Sequence, residues 1–252
     1  MELGKRGQSM IDIHCHIING VDDGAKTIMD SIRMILEAQQ VGVTAIVITP
    51  HYHKGIYQSD KVQEHFLEIK DRTKDFGIDL YLGYEVFLST ALNDVIQNKE
   101  IYTLNHSNNL LFELPFDIIP MELNKTILKL HNEKIVPIIA HPERYNYFVK
   151  SIDKFIDLVE AGCLVQLDAA SIVGVYGSKV KNFTKRLINW NMVQFVASDA
   201  HKPGDYLQLY KKAYTQVSNW AGKECADELF THNQSFLLYR NIKLQEIDEE
   251  SR

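Results

Sequence analysis

Short apolar runs rich in β-branched residues, each followed by a helical stretch, recur along most of this chain, and that rhythm restricts the fold more than any other feature. The runs cover residues 11–16, 43–49, 78–82, 109–112, 136–140, 163–167 and 192–196. Strands buried on both faces of a parallel sheet read as continuous apolar runs of this kind. Between them the spacing predicts helices. Thr27 and Asp30 stand at capping distance from each other, and Ile28, Ile32, Ile35 and Leu36 follow Thr27 at helical spacing, with Gly42 as the stop. Ser59 opens a second stretch with Val62, Phe66, Ile69 and Phe76 as its apolar stripe, closed by Gly77. Further helices are expected over 90–97, 122–133, 151–161, 178–190, 206–220 and 223–230. Pro137 cannot donate to a sheet ladder, so it belongs near the start of its strand.

Seven strand-then-helix units without a linker argue for one closed parallel barrel of the α/β class. A doubly wound open sheet is the alternative, but no glycine-rich phosphate fingerprint follows the first strand. Residues 10–244 are expected to form one domain, with 1–9 a flexible polar leader and 245–252 an acidic mobile tail. Net charge at pH 7 is −6, which lacks the basic footprint of a nucleic-acid binder. Cys15, Cys163 and Cys225 are odd in number and widely spaced, as reduced thiols of a cytoplasmic protein would be. No run approaches transmembrane length.

The chemistry gathers where the strands end. His14, His16, His51, Glu85, Glu113, His141, Asp199 and His201 all sit at or just past the carboxyl end of a predicted strand. In a parallel barrel those ends meet on one face, so residues remote in sequence converge on one pocket. A lone histidine after a strand is an ordinary loop residue; the whole set is not. Five imidazoles and three carboxylates exceed the needs of one tetrahedral zinc. They suit two or three borderline ions such as Mn²⁺, Fe or Zn²⁺ that share carboxylates or water. Such a site acidifies water and neutralises charge in a displacement at phosphorus. Cys15 alternates with His14 and His16 and should be a small packed residue.

Arg144, three residues after His141, is the candidate phosphate grip, its planar fork matching two oxygens. His53 is near enough to His51 to line the pocket as a ligand, a proton donor, a substrate contact or a mere neighbour. Asp22 and Asp23 fit a turn before Gly24 at least as well as they fit chemistry. Asp12 precedes the histidine pair and is expected to share its face and orient an imidazole. Tyr52, Tyr57 and Phe116 lie near predicted strand ends, as walls for an aryl ring or as packing. Other engines are missing. No cysteine is followed by the five-residue loop and arginine of thiol phosphatases, and there is neither a Gly-x-Ser-x-Gly elbow nor a Gly-x-x-x-x-Gly-Lys loop.

These residues resemble the PHP family, and more narrowly the bacterial metal-dependent tyrosine-protein phosphatases of capsule and exopolysaccharide operons. The matching stretches are residues 10–16, 21–24, 49–51, 113–116, 140–144 and 197–201, in order along the chain. The resemblance implies a distorted TIM-like (β/α)7 barrel and a trinuclear, typically manganese-supported site. It also implies hydrolysis of phosphotyrosine on the C-terminal tyrosine cluster of a bacterial tyrosine kinase. The eight residues above would be the ligands, with Arg144 on the phosphate. One departure stands out: relatives often carry a second arginine shortly after the last histidine motif, where this chain has Lys202 followed by Pro203. A small-molecule phosphatase resembling histidinol phosphatase, and a kinase-binding module with little turnover, are the competing expectations.

Overall fold

The computed structural model describes residues 9–98 and 102–238, apart from the side chains of 89–91. The expected tail lies outside the described residues, as does the expected leader except Ser9, whose hydroxyl meets that of Thr44 at 2.7 Å. The strands are β1 (Met10–Asp12), β2 (Val43–Ile48), β3 (His51–Tyr52), β4 (Asp79–Leu82), β5 (Glu85–Phe87), β6 (Asn109–Glu113), β7 (Val136–Ala140), β8 (Leu164–Asp168) and β9 (Phe195–Ala197). All pairings between them are parallel, in the orders β1-β2-β4 and β3-β5-β6-β7-β8-β9.

Two staves are each broken once, which splits one barrel wall into two sheets. Between β2 and β3 the chain passes Thr49-Pro50, and between β4 and β5 it passes Gly83-Tyr84. Pairing survives the break, because Gly83 N–H reaches Ile48 O at 3.0 Å and Glu85 N–H reaches Pro50 O at 3.1 Å. Gly83 permits this: a Cβ there would stand 2.9 Å from the Leu104 side chain and 3.0 Å from its Cα. The circle closes where the chain beyond β9 meets the chain beyond β1. Asp199 N–H donates to His14 O at 2.9 Å and His16 N–H to Ala200 O at 2.8 Å. Counted as staves among the described residues, the barrel therefore has the seven parallel strands expected, in chain order.

The described helices cover the outside: α1 (Ile28–Gln40), α2 (Val62–Arg72), α3 (Leu88–Gln97), α4 (Leu123–Asn132), α5 (Asn146–Lys150), α6 (Ile152–Glu160), α7 (Ala169–Val173), α8 (Ser178–Asn189), α9 (Lys211–Ala221) and α10 (Lys223–Asp227). The Thr27–Asp30 capping box opens α1 with both reciprocal bonds present. Pro137 does little harm in β7, because pairing with β8 begins only at Ile138 opposite Leu164. Three local expectations shift. Residues 169–173, where no helix is expected, form α7, since the Asp168 carboxylate caps it at Ala170 N, 2.7 Å away. The last strand begins at Phe195, not 192, because Met192 N–H still bonds Leu187 O as the exit from α8. The helix expected at 206 starts as a wider π turn, Tyr206–Tyr210, before α9.

Apolar packing forms two layers. Ile11, Ile13, Ala45, Val47, Leu111, Ile138, Ala140, Phe195 and Ala197 fill the barrel, while Ile46, Ile48, Phe112, Ile139, Val165 and Val196 face the helices. This alternation within each strand decides which polar residues point inward at the upper ends.

Candidate metal centre

His51 and Glu85 open β3 and β5 and stand opposite each other in register. Glu113 ends β6, while the other five candidate ligands lie just beyond β1, β7 and β9. His141 and Asp199 adopt left-handed backbone, φ 36° and 50°, a costly conformation for residues with a Cβ. It has a use at His141. Ile138 and Ala140 face the barrel interior, so regular continuation would turn residue 141 outward. The left-handed turn brings its ring back, and Nε2 meets Glu85 Oε1 at 2.8 Å.

The structure brings all eight side chains together. His14 Nε2 and His16 Nε2 face each other at 3.2 Å. Glu85 Oε2 lies 3.3 Å from the first and 3.4 Å from the second, and Asp199 Oδ1 repeats those distances. Glu85 Oε2 is also 3.0 Å from His51 Nδ1, which Glu113 Oε1 approaches to 3.2 Å. Asp23 Oδ1 stands 3.5 Å from both His51 Nε2 and His201 Nε2. Four overlapping groups of donors result: His16–Asp23–His51–His201, His14–His16–Asp199, His14–Glu85–His141 and His51–Glu85–Glu113.

These donors fit metal ions. Tetrahedral ligands on bonds of about 2.1 Å stand roughly 3.4 Å from one another, close to the spacing around His14 and His16. Glu85 Oε2, Asp199 Oδ1, His51 Nδ1 and His141 Nδ1 are buried with no hydrogen-bond partner among the described residues. Buried polar atoms are seldom left so, and a cation between them would satisfy several at once. The donor set is nitrogen and oxygen without thiolate, which suits Mn, Fe or Zn and excludes none of them.

Electrostatics point the same way. Burial opposes charge on His14, but Glu85 and Asp199 outweigh it and raise its pKa to about 9. His51, likewise opposed by burial and favoured chiefly by Glu85, rises to about 10. Burial would lift the Glu85 and Asp199 carboxyls, yet the surrounding imidazoles, His14 foremost, hold both well below the usual range. The pocket attracts positive charge.

Outer contacts fix the rings. Gln166 Oε1 meets His14 Nδ1 at 2.8 Å, and Asp22 Oδ2 meets His16 Nδ1 at 2.8 Å. Each leaves Nε2 of its histidine aimed at the cluster. Asp22 also accepts the N–H groups of Gly24 and His51, so it serves the turn and the ring together. Gln166 had a visible signal, a lone amide inside an otherwise apolar strand. Asp23 was visible too, but only folding shows that its loop closes over His51 and His201.

Asp12 does not orient an imidazole, contrary to the expectation. Its carboxylate takes the Tyr206 hydroxyl at 2.6 Å, the Ser198 hydroxyl at 2.5 Å and the Ser198 N–H at 2.9 Å, with His14 N–H at 3.3 Å. Ile11 and Ile13 face the barrel interior whereas Cys15 packs in the outer layer, so alternation breaks just before His14. Asp12 thereby lies on the opposite side from the histidine pair and ties β1 to the segment after β9. Cys15 is buried, as expected of a packed residue.

Arg144 borders the cluster, its Nη1 donating to Asp199 Oδ2 at 2.7 Å, with Asp168 Oδ2 at 3.9 Å. Burial disfavours its charge, but Asp199 and Asp168 raise its pKa further. Tyr57 stacks on His51, with ring centroids 5.3 Å apart, and Phe116 lies parallel to His141 at 6.1 Å. Tyr52 instead packs against Tyr84 and Tyr102 and donates to Asp94, which is packing. His53 stacks on Phe87 and belongs to none of the four donor groups.

Residues 10–239 match the family model for capsular polysaccharide synthesis, CpsB/CapC. The chain belongs to this family. A CapC protein of Staphylococcus aureus is 38% identical over 196 residues, 76% of this chain and 77% of its own. The tyrosine-protein phosphatase YwqE of Bacillus subtilis is 34% identical over the same shares of each chain. A solved structure from the pair YwqE and Streptococcus pneumoniae CpsB, described as unique metal-dependent tyrosine phosphatases, superposes with a TM-score of 0.83. It is 31% identical and the match covers 91% of this chain and 94% of that one. The CpsB/CapC barrel is thus the frame on which the donor cluster is mounted.

Proposed function

We propose that this chain is a phosphatase that hydrolyses phosphotyrosine with the help of two or three bound ions, Mn²⁺ foremost. In this reading the chain works in the cytoplasm, and its substrate is the C-terminal tyrosine cluster of a bacterial tyrosine kinase, through which it regulates capsule or exopolysaccharide synthesis. Residues 10–244 act as one domain. The observation that carries it is Glu85. One buried carboxylate reaches His141 through Oε1 and His14, His16 and His51 through Oε2, as a ligand shared between ions would.

When bound, the ions would supply an acidified water and neutralise charge on the phosphoryl oxygens. His14, His16 and Asp199 would hold one of them, His51, Glu113, His141, Asp23 and His201 the others, and Glu85 would be shared between them. Gln166 and Asp22 hold the imidazoles of His14 and His16 in the tautomer that presents Nε2. Arg144 offers N–H groups to a non-bridging phosphate oxygen while Asp199 anchors it. Exposed Lys202 lies in the segment where the family resemblance leads one to expect a second arginine, so affinity for the phosphate falls more heavily on Arg144. No helix among the described residues is long and apolar enough to cross a membrane.

Elemental analysis of the purified protein, paired with turnover of phosphotyrosine peptides and small phosphate esters, tests the reading. Bound metal with preferred turnover of the peptides supports it. A strong preference for histidinol phosphate would replace the substrate assignment. Negligible hydrolysis with manganese present, alongside tight kinase binding, would make the chain a binding module.

A further inference from the structure

Two large aromatic side chains stand beside the cluster, each still 43% exposed: Phe116 and Tyr176. Both rings rest on the same guanidinium, with Arg144 Cζ 5.3 Å from the Phe116 centroid and 4.9 Å from that of Tyr176. Neither sits on loose chain. Tyr176 projects from a turn in which Val175 N–H bonds Ala170 O at 2.9 Å and Gly177 N–H bonds Gly174 O at 3.1 Å. Gly174 and Gly177 flank it at φ 97° and 89°, backbone that glycine adopts freely. Phe116 follows Pro115, whose carbonyl accepts the Tyr147 hydroxyl at 2.9 Å, and Leu114 N–H donates to the Tyr145 hydroxyl at 3.0 Å.

Rings packed on a guanidinium leave its in-plane N–H groups open, and those of Arg144 that are not donated to Asp199 can meet phosphate oxygens in that plane. The ester group of a phosphate gripped on that edge then comes off beside the rings. A flat aryl group gains ring-to-ring contact there; a short alkyl group gains almost none.

We infer that Tyr176 and Phe116 are specificity residues that select aryl over alkyl phosphate groups, acting on the ester group next to Arg144. The inference deepens the proposed function and rests on it. Stacking of this kind is worth roughly a three- to tenfold preference.

The test is calorimetric binding of phenylphosphonate and methylphosphonate, neither of which can be hydrolysed, to manganese-loaded protein, with phosphotyrosine-peptide turnover measured in parallel. The wild type should prefer phenylphosphonate by that factor. Tyr176→Leu and Phe116→Leu should each bring the preference toward unity and leave methylphosphonate affinity within about twofold, while Tyr176→Phe keeps the preference. Equal weakening of both ligands would mean that the rings only hold Arg144, and would overturn the inference. So would an unchanged preference in both leucine variants. Peptide turnover without any phenyl preference in the wild type would overturn it too and leave the proposed function standing. Failure of the wild type to turn over the peptide at all would overturn both.

Discussion

Replacing Glu85 by glutamine removes one negative charge and almost no volume from the centre of the cluster. The side chain is 1% exposed, so water cannot screen the loss. The rise of His14 from 6.5 to about 9 corresponds to about 3 kcal/mol of preference for a positive charge there. Burial works against that rise, so the carboxylates together supply more than it, and Glu85, the first of the two, contributes at least about 2 kcal/mol for a single charge. A divalent ion in the same place should lose at least as much, a factor of about thirty in affinity. The neutral amide also breaks the bridge between His141 and the other three imidazoles, so fewer ions should remain per chain. Chelator competition against a metal-sensitive dye gives the affinity and elemental analysis the stoichiometry, with near-ultraviolet circular dichroism to confirm that the barrel is intact. Full stoichiometry with less than a threefold change in affinity would refute the assignment of Glu85 as a shared ligand.

Three further outcomes are expected. His141→Ala should abolish phosphatase activity even after metal reconstitution; intact turnover would sink the mechanism. Gly24→Ala should lower both the melting temperature and the metal content, because the added Cβ would collide with the His16 carbonyl, an overpacking cost of about 1–3 kcal/mol. In metal-free protein, the pKa values of His14 and His51 are raised to about 9 and about 10. Their stabilisation is complete below the unfolded value of about 6.5 and is lost as pH rises through 9–10. The urea midpoint of metal-free protein should therefore fall between pH 7 and 10, and saturating Mn²⁺ should remove the fall; a flat profile without metal would contradict the charge arrangement.

Much of the architecture was legible because it is periodic. A buried parallel strand is an apolar run of fixed length, and polar residues that follow such a run must surface at one end of the barrel. The eight candidate ligands were found on that argument alone, without knowledge of any contact between them. Local capping was equally plain, as Thr27 and Asp30 show.

Folding decided whatever depended on breaks in that periodicity. Asp12 shares parity with His14 in sequence, but the chain leaves regular strand geometry after it, so the two point to opposite sides. His141 would face outward by parity and returns only through its left-handed backbone. Asp23, Gln166 and Tyr176 gain their roles from neighbours that arrive from other staves or loops. Periodicity along one strand carries the inward or outward sense of each residue while the strand stays regular. Which side chains meet across the barrel mouth is set by closure of the ring and by the turns above it, and these are properties of the whole fold.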